Sequence, residues 1–228
     1  MVSNKPLISI IIPCLNEAAT IRECLERLKQ FRIAGHEIIV VDGGSQDDTV
    51  ELCRGLADRI IDSKRGRAIQ FNTGANVAQG ELFVFLHADT VLPPRALSIL
   101  NELVDKTPSW GRFDVRLSGK NVLFRVIECL MNFRSRLTGV ATGDQAIFVS
   151  RTLFQRVEGF PNIALMEDIS ISKKLRKLSK PYCIKSPVIT STRRWESKGI
   201  IKTMMLMHVL RLRFALGADP AKLARAYD

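Results

Sequence analysis

A short apolar run that ends in a polar turn recurs along this sequence and constrains the fold more than any other feature. Residues 83–86 (FVFL) are the clearest case, and His87-Ala88-Asp89 follows them directly. A continuous apolar run of this length is typical of a strand buried on both faces, as in a parallel sheet covered by helices. In an open sheet of that kind, ligands bind beyond the carboxyl ends of the strands. The pattern predicts an α/β fold whose functional site includes the turn at residues 87–89.

Other segments extend this prediction. Residues 7–12 (LISIII) end at Pro13, residues 37–41 (EIIVV) end at Asp42, and residues 59–62 form a shorter strand. Helical patterns follow these strands, including one over residues 93–106. This order predicts a single Rossmann-like, mostly parallel sheet flanked by helices.

Two later segments carry expectations about exposure. Residues 111–118 alternate, with Phe113, Val115 and Leu117 on one side and charged residues on the other, which predicts a half-exposed strand. Residues 121–136 have helical periodicity, and their polar side chains share one stripe. Because nearly all the remaining residues are apolar, we expect a buried or an interfacial helix. The stripe consists of Asn121, Arg125, Glu128, Asn132, Ser135 and Arg136.

The charge balance points to an anionic partner. The 228 residues carry a net charge of +11, which suits nucleotide phosphates, an acidic membrane surface or nucleic acid. Aromatic residues make up only 7% of the chain, and no basic block is interleaved with them, so we expect no nucleic-acid partner. The segment 199–217 is apolar and rich in Met, with Lys202, Arg211 and Arg213. It is too charged to span a bilayer, and it suits either a membrane surface or packing on the domain.

The cysteines and the N-terminal residues predict a location. The five cysteines are odd in number and include no CxxC pair, so we expect free thiols in a reducing compartment. One lysine precedes the first apolar run, which is too short for a signal peptide or a spanning helix. We therefore expect a cytoplasmic protein, with peripheral contact at the inner face of the cell membrane as a hypothesis.

The turn at residues 87–89 is a candidate metal site. Asp89 offers a hard oxygen and His87 an imidazole, which together suit Mn²⁺ or Mg²⁺ bound jointly with a phosphate. The alternative is that Asp89 caps the following helix and His87 only ends the strand.

Three other polar segments are candidate ligand contacts. Asn16 and Glu17 follow the first strand, where Asn16 either touches a ligand or caps the next helix. At the second strand end we expect Asp42 to bind a ligand beside Gly44, and Asp47 or Asp48 to cap a helix. The basic cluster at residues 64–67 opens a helix, which favours a diphosphate site at Arg65 and Arg67, with a solvated basic loop as the alternative.

Glu167 and Asp168 open a later helix whose far end is basic, so by themselves they match the helix dipole. Taken in order, however, the motifs resemble those of the family 2 glycosyltransferases, which have the GT-A fold. The resemblance covers roughly residues 7–195, and it extends to the small bacterial group labelled transferase 2, radical-SAM/selenodomain-associated. The segments that carry it are residues 11–17 (IIPCLNE), 40–47 (VVDGGSQD), 66–68 (GRA), 72–74 (NTG), 87–89 (HAD), 158–160 (EGF) and 167–168 (ED).

The resemblance implies a nucleotide-diphosphate sugar donor, a divalent cation, inversion at the anomeric carbon and an acceptor hydroxyl. It implies a donor-binding part (1–118), an acceptor and catalytic part (119–198) and a C-terminal helical segment (199–228) of a single domain. Asp89, with His87, would hold the metal, and Asp168 would be the base. The remaining implied contacts fall into two sets. The donor set is Pro13, Asn16, Glu17, Asp42, Gly44, Arg65, Arg67, His87 and Ala88. The acceptor or diphosphate set is Gly143, Asp144, Gln145, Glu167, Arg194 and Trp195.

The sequence departs from the family pattern at three positions. His87 replaces the first Asp of the metal motif, Gly43 replaces an Asp near the nucleoside, and Ser191 stands three residues before Arg194 where processive members have Gln or Arg. We therefore expect one transfer, not polymer synthesis, with a lipid or lipid-linked acceptor as a hypothesis. A sugar nucleotidyltransferase and a non-catalytic sugar-nucleotide-binding or scaffold protein are the alternatives. A dehydrogenase is disfavoured because no GxGxxG follows the first strand.

Overall fold

The structure is a computed structural model that describes residues 7–106 and 109–227. The predicted domain over 1–228 also includes residues 1–6, 107–108 and 228, which lie outside the described residues. The strands are β1 (Ile8–Cys14), β2 (Glu37–Asp42), β3 (Arg59–Asp62), β4 (Leu82–Phe85), β5 (Thr90–Val91), β6 (Trp110–Leu117), β7 (Ile147–Ser150) and β8 (Tyr182–Thr190).

Helices cover both faces of the sheet. They are α1 (Ile21–Arg27), α2 (Lys29–Ile33), α3 (Thr49–Cys53), α4 (Arg67–Val77), α5 (Ala96–Val104), α6 (Val122–Thr138), α7 (Arg151–Arg156), α8 (Glu167–Leu175), α9 (Arg193–Lys198), α10 (Ile200–Ala215) and α11 (Pro220–Tyr227). A 3₁₀ turn over Gly143–Gln145 precedes β7. The helix predicted over 93–106 begins only at Ala96, and the first strand continues through Pro13 to Cys14.

Within the described residues, the strands form one mixed sheet in the order β3-β2-β1-β4-β7-β6-β8-β5. The pairs β1–β2, β1–β4, β2–β3 and β6–β8 are parallel, whereas β4–β7, β6–β7 and β5–β8 are antiparallel. The α/β prediction is confirmed, and the parallel pairs on β1 to β4 match the strand runs that predicted it. The reversed strand β7 brings the turn that precedes it to the carboxyl end of β4.

The expected half-exposed strand is wrong for β6. Every residue of β6 is buried except Arg116. Arg112 and Asp114 form a buried ion pair, and Arg136 from α6 also bonds to Asp114. Because the charged side chains neutralise one another beneath a helix, alternation in the sequence did not indicate exposure.

The polar stripe of α6 faces the sheet, so its apolar side is only partly buried. Beyond Gly111, β6 has no β7 partner in the strand register, and α6 side chains bond to its backbone instead. Asn132 accepts from the Val115 N–H at 2.9 Å and donates to the Val115 carbonyl at 2.9 Å, and Glu128 accepts from the Leu117 N–H at 3.0 Å. Phe124, Ile127 and Met131 are buried. Large apolar residues on the other side are exposed, namely Val122, Leu123, Val126, Leu130, Phe133 and Leu137.

The C-terminal segment packs on the domain through a few residues. Leu210 of α10 and Leu223 of α11 are buried in a cluster with Leu165, Met166 and Ile169. The outer side of α10 exposes Ile201, Met205, Val209 and Leu212. Among the described residues, we find no helix with the length and apolar character needed to cross a membrane.

Candidate active site

The sheet topology gathers the candidate residues at one edge. The parallel strands β1, β2 and β4 end there, and the amino end of β7 meets them because β7 runs the opposite way. A large cavity of about 770 Å³ lies at this edge. Its walls include five predicted residues, namely Pro13, Glu17, Arg65, Arg67 and His87.

Asp42 is placed at this edge, but its oxygens are used inside its own turn. The carboxylate accepts hydrogen bonds from the Gly44 N–H at 2.9 Å, the Ser45 N–H at 2.8 Å and the Ser45 hydroxyl at 2.5 Å. Gly44 takes a φ of +92°, which favours glycine. Asp42 therefore shapes the turn, and the residue is only 4% exposed.

Asn16 does not cap the first helix, since Thr20 occupies the position before α1. Its side-chain oxygen accepts from the Gln46 N–H at 2.8 Å, and its own N–H donates to Ser45 at 2.9 Å. Asn16 thus joins the turn after β1 to the turn after β2. Asp48 occupies the N-cap position of α3, but its side chain makes no capping hydrogen bond. Asp47, one residue earlier, accepts from the Thr49 N–H at 3.1 Å and so closes the turn that leads into α3.

His87 lies half-buried between charged groups. Burial, followed by the Arg67 guanidinium, lowers the pKa of His87, although Asp144, Asp89 and Asp168 act in the opposite direction. The imidazole is therefore neutral at neutral pH and has a lone pair to offer. Its edge contacts the Phe71 ring, with 5.9 Å between ring centroids.

The turn before β7 approaches His87 closely at Gly143, where a side chain would not fit. A Cβ atom at Gly143 would lie 2.5 Å from Nε2 of His87, so a larger residue would displace one of the two. Ala88 is buried in the hydrophobic core. The Gln145 side chain is fully buried and accepts from the Thr142 N–H at 3.1 Å. Gln145 therefore supports the turn, and Gly143 and Asp144 face the site.

Asp89 is half-buried among other carboxylates. Burial raises the pKa of Asp89, and Asp144 and Glu17 add to that effect, whereas His87 and Arg193 oppose it. Such a carboxylate gains from a nearby cation. Across residues 7–106 and 109–227, no three His, Cys, Asp or Glu side chains lie close enough together to hold a metal ion. The pair of Asp89 and neutral His87 fits a divalent cation only if ligand oxygens complete the coordination.

Asp168 lies in a small cavity of about 50 Å³ beside the large one. Its two oxygens accept from the Gly143 N–H at 2.8 Å and the Ile169 N–H at 2.7 Å. The residue before α8, Met166, has a left-handed φ of +69°, a conformation that costs free energy and is often found at functional sites. The carboxylate is fixed in direction, and each oxygen keeps a lone pair.

Glu167 is buried next to Asp168 and pairs with Arg67 at 3.4 Å. Burial and then the charge of Asp168 raise the pKa of Glu167 to about 7, although Arg67 lowers it. Arg67 lines both the large and the small cavity. A single guanidinium thus connects the two halves of the site.

Arg194 is tied to the last helix. Its guanidinium lies 3.5 Å from the centroid of the Tyr227 ring and donates to the Tyr227 carbonyl. Trp195 lines an apolar cavity of about 250 Å³ between α6 and α10, which is distinct from the large cavity. The two residues of this predicted pair therefore face different surroundings.

Sequence reasoning missed several residues of the site. Tyr227 lines both the large and the small cavity, and Arg211 lines both the small and the apolar cavity. Gln70 donates to the carbonyls of Cys14 at 2.9 Å and Val41 at 2.8 Å, which joins the ends of β1 and β2. No local motif marks these positions, because each reaches the site through packing of distant segments.

Comparison with known proteins identifies the family. The sequence model described as glycosyl transferase family 2 matches residues 9–158. The "PGL/p-HBAD biosynthesis glycosyltransferase" of Mycobacterium tuberculosis is 36% identical over 94 residues, which is 38% of this chain and 37% of that protein. The matches with these curated relatives therefore span about a third of the relatives' own length.

Solved structures share the fold. "Mannosyltransferase PcManGT from Pyrobaculum calidifontis in complex with GDP-Man and Mn2+" has a TM-score of 0.65 and 23% identity, over 97% of this chain and 69% of that chain. S. aureus TarS 1-349 in complex with UDP-GlcNAc has a TM-score of 0.66 and 20% identity, over 82% of this chain and 58% of that chain. The sheet and its flanking helices are thus an arrangement found in known glycosyltransferases.

Proposed function

Because this chain belongs to glycosyl transferase family 2, we propose that it transfers a sugar from a nucleotide-diphosphate donor to an acceptor hydroxyl, with inversion and in a single step. The observation that carries the proposal is the meeting of two cavities at Arg67. One cavity is basic and large, and the other holds a fixed carboxylate. Solved relatives with GDP-Man and with UDP-GlcNAc support a donor of this class.

The donor would lie in the large cavity. Arg65 and Arg67 line it at the start of α4, where helix N–H groups also favour a phosphate. These cations would stabilise the charge that develops on the diphosphate as the bond to the sugar breaks. Asp42, Gly44, Asn16 and Glu17 form the neighbouring turns and would meet the nucleoside. Residues 1–118 are thus the proposed donor-binding part.

The acceptor would approach from residues 119–198, with 199–228 as a covering helical segment. Asp168 is the proposed base, because backbone N–H groups fix both oxygens while leaving lone pairs free. The acceptor hydroxyl gives its proton to Asp168, its oxygen bonds to the anomeric carbon, and the electron pair of the broken bond goes to the diphosphate. Gly143, Asp144, Glu167 and Arg194 would surround this step.

A divalent cation, Mn²⁺ or Mg²⁺, is proposed at Asp89 and His87. The raised pKa of Asp89 and the neutral imidazole of His87 support this assignment, and solved relatives contain Mn²⁺. When bound, such an ion neutralises charge on the diphosphate.

A lipid or lipid-linked acceptor at the cytoplasmic face of an anionic membrane is the finer part of the proposal. It is supported by the exposed apolar sides of α6 and α10 and by the net charge of +11.

Calorimetry tests the donor site. UDP, GDP and dTDP are titrated in turn with Mn²⁺, with Mg²⁺ and with EDTA. We expect one nucleotide to bind and EDTA to weaken it. Arg65→Gln should weaken that binding about tenfold through the loss of a charge-assisted contact. Arg116→Gln removes another exposed charge, from β6, and serves as the matched control. If a folded sample binds none of the three nucleotides, the donor assignment is wrong.

The base is tested with Asp168→Asn. Slow hydrolysis of the matching sugar donor, with water in place of the acceptor, is followed by nucleotide release. We expect a loss of about 10²–10⁴-fold with nucleotide affinity retained, as for removal of a general base. Full hydrolysis in this variant would contradict the role of Asp168, whereas a wild-type protein that binds the donor without hydrolysis above background would favour a binding protein.

A further inference from the structure

The apolar cavity between α6 and α10 adjoins the site through shared walls. Ile127 and Met131 from α6 and Met204 and Met207 from α10 line it. Asp144, Met207 and Arg211 belong both to this cavity and to the small cavity that holds Asp168. The apolar, small and large cavities therefore lie in series.

The apolar cavity opens onto an apolar surface. Leu130 and Phe133 line it and are 54% and 64% exposed. The neighbouring exposed residues of α6 and α10 continue that surface on both sides of the opening. An apolar chain that lay in this cavity would have one end at the surface and the other at the wall shared with the small cavity that holds Asp168.

Two unpartnered arginines stand in this apolar cavity. Nε and Nη2 of Arg134 and Nε of Arg211 are buried and have no hydrogen-bond partner among residues 7–106 and 109–227. Neither guanidinium forms an ion pair with a described carboxylate, even though Asp144 lies in the same wall. Buried N–H groups of this kind cost free energy unless an acceptor satisfies them.

The charges around Arg134 are unbalanced. Burial, then Arg211, and further on Arg112, lower the pKa of Arg134 to about 10, while Asp168 raises it. Two guanidiniums that line the same partly apolar cavity favour an oxyanion that can accept from both, and a phosphate does so with several oxygens.

We infer that the acceptor is a phosphorylated amphiphile, whose phosphate bonds to Arg134 and Arg211 while its apolar chain lies between α6 and α10. This inference rests on the proposed function and names the acceptor class of that same site. A hydroxyl beside the phosphate then reaches Asp168 where the apolar and small cavities meet at Arg211. The transfer step is the one proposed above. The source is a lipid headgroup, since a free phosphate would leave the apolar walls uncovered.

Trp195 provides a direct readout. It lines the apolar cavity, and the other tryptophan of the sequence, Trp110, is fully buried in the sheet. Tryptophan fluorescence is followed while decyl phosphate, decanol and inorganic phosphate are titrated in parallel. We expect decyl phosphate to bind at least about tenfold more tightly than either of the other two, because it alone satisfies both the arginines and the apolar walls. If inorganic phosphate binds most tightly, the site binds free anions and the inference is wrong. If decanol binds as tightly as decyl phosphate, the arginines do not bind the phosphate and the inference is also wrong.

Variants separate the phosphate contact from the apolar contact. Arg134→Gln and Arg211→Gln should each reduce decyl phosphate affinity about tenfold and leave decanol binding unchanged. Arg213→Gln removes a charge from the exposed side of α10 and is the matched control, with wild-type affinity expected. Equal effects of Arg213→Gln and the two other variants would show general electrostatics and would contradict the proposed site.

A second measurement does not depend on the binding assay. Arg134→Met removes buried, unpartnered N–H groups, so we expect its thermal midpoint without ligand to rise by about 2–4 °C. Decyl phosphate should raise the midpoint of the wild-type protein and not that of Arg134→Met. An equal rise in both proteins would contradict the inference. Nucleotide titration of the same samples distinguishes failure of the proposed function from failure of this inference. A protein that binds decyl phosphate but no nucleotide would refute the donor assignment and leave the amphiphile site in place.

Discussion

At the residue scale, His36 shows how a buried side chain sets a pH response. Both ring nitrogens of His36 are buried without a hydrogen-bond partner among the described residues, and its ring lies 6.2 Å from the Phe31 ring. Burial lowers the pKa of His36 below its ordinary value of 6.5, with a smaller opposing effect from Asn101. The unfolded chain then binds more protons than the folded protein below about pH 6.5, so acid favours unfolding.

His36→Phe tests this sign. Stability due to the neutral histidine is present above pH 6.5 and is lost as the pH falls, at up to about 1.4 kcal/mol per pH unit. The variant should therefore lose less stability than the wild type between pH 7 and pH 5 in urea unfolding. His87 titrates in the same direction and Glu167 in the opposite one, but both occur in each protein, so the difference between the two curves reports on His36. Parallel curves would contradict the prediction.

Single residues also mark where sequence reasoning ends. His87, Arg65 and Arg67 could be placed at the site because strand ends and helix starts meet at one edge of such a sheet. The internal bonds of Asp42 could not be predicted, since a turn aspartate can face its own backbone or a ligand with the same neighbours in sequence. Arg134 and Arg211 belong to ordinary helical patterns, and only packing shows that their N–H groups lack partners.

At the scale of elements, α6 replaces a missing strand. Its polar stripe satisfies the backbone of β6 where β7 has ended, so the helix carries its polar side inward. The stripe itself was predictable from periodicity, but its direction was not, because a sequence pattern does not show which strand edge lacks a partner.

Asn132→Leu tests this element. The change leaves the N–H and carbonyl of Val115 without their partner on α6. We expect the free energy of unfolding to fall by about 2–4 kcal/mol, as for two buried groups left unsatisfied. Val122→Ala, at an exposed position of the same helix, should change it by less than about 0.5 kcal/mol. Chemical denaturation measures both, and similar values for the two variants would contradict the role assigned to Asn132.

At the scale of the whole molecule, the exposed apolar sides of α6 and α10 lie on either side of one cavity, on a chain with a net charge of +11. Contiguous apolar surface of this kind is typical of an interaction site. From the sequence, the apolar and basic composition of residues 199–217 left a membrane surface and packing on the domain as alternatives. In the structure α10 packs through Leu210 and exposes its outer side. The position of α11 over the site could not be predicted, since it depends on packing of Leu223 against α8 and α10.

Sedimentation with vesicles tests the surface. We expect the protein to sediment with anionic vesicles at low salt and to be released in part as salt rises. Val126→Glu and Val209→Glu should each reduce the bound fraction several-fold with little effect on folding, because both positions are about half exposed. Ile33→Glu is the matched control, since Ile33 is exposed on α2 away from this surface. Protein that remains in the supernatant at low salt would remove the support for membrane contact.

Because Arg67 lies between two cavities, diphosphate binding is linked to proton uptake. A diphosphate that bonds to the Arg67 guanidinium weakens the ion pair between Arg67 and Glu167. The pKa of Glu167 already lies at about 7. The carboxylate then binds a proton more readily, so occupancy of one cavity is accompanied by proton uptake at the other. By thermodynamic reciprocity, mild acidification would increase the affinity for the diphosphate. Binding in the large cavity and protonation in the small one would thus be coupled through the single charge of Arg67.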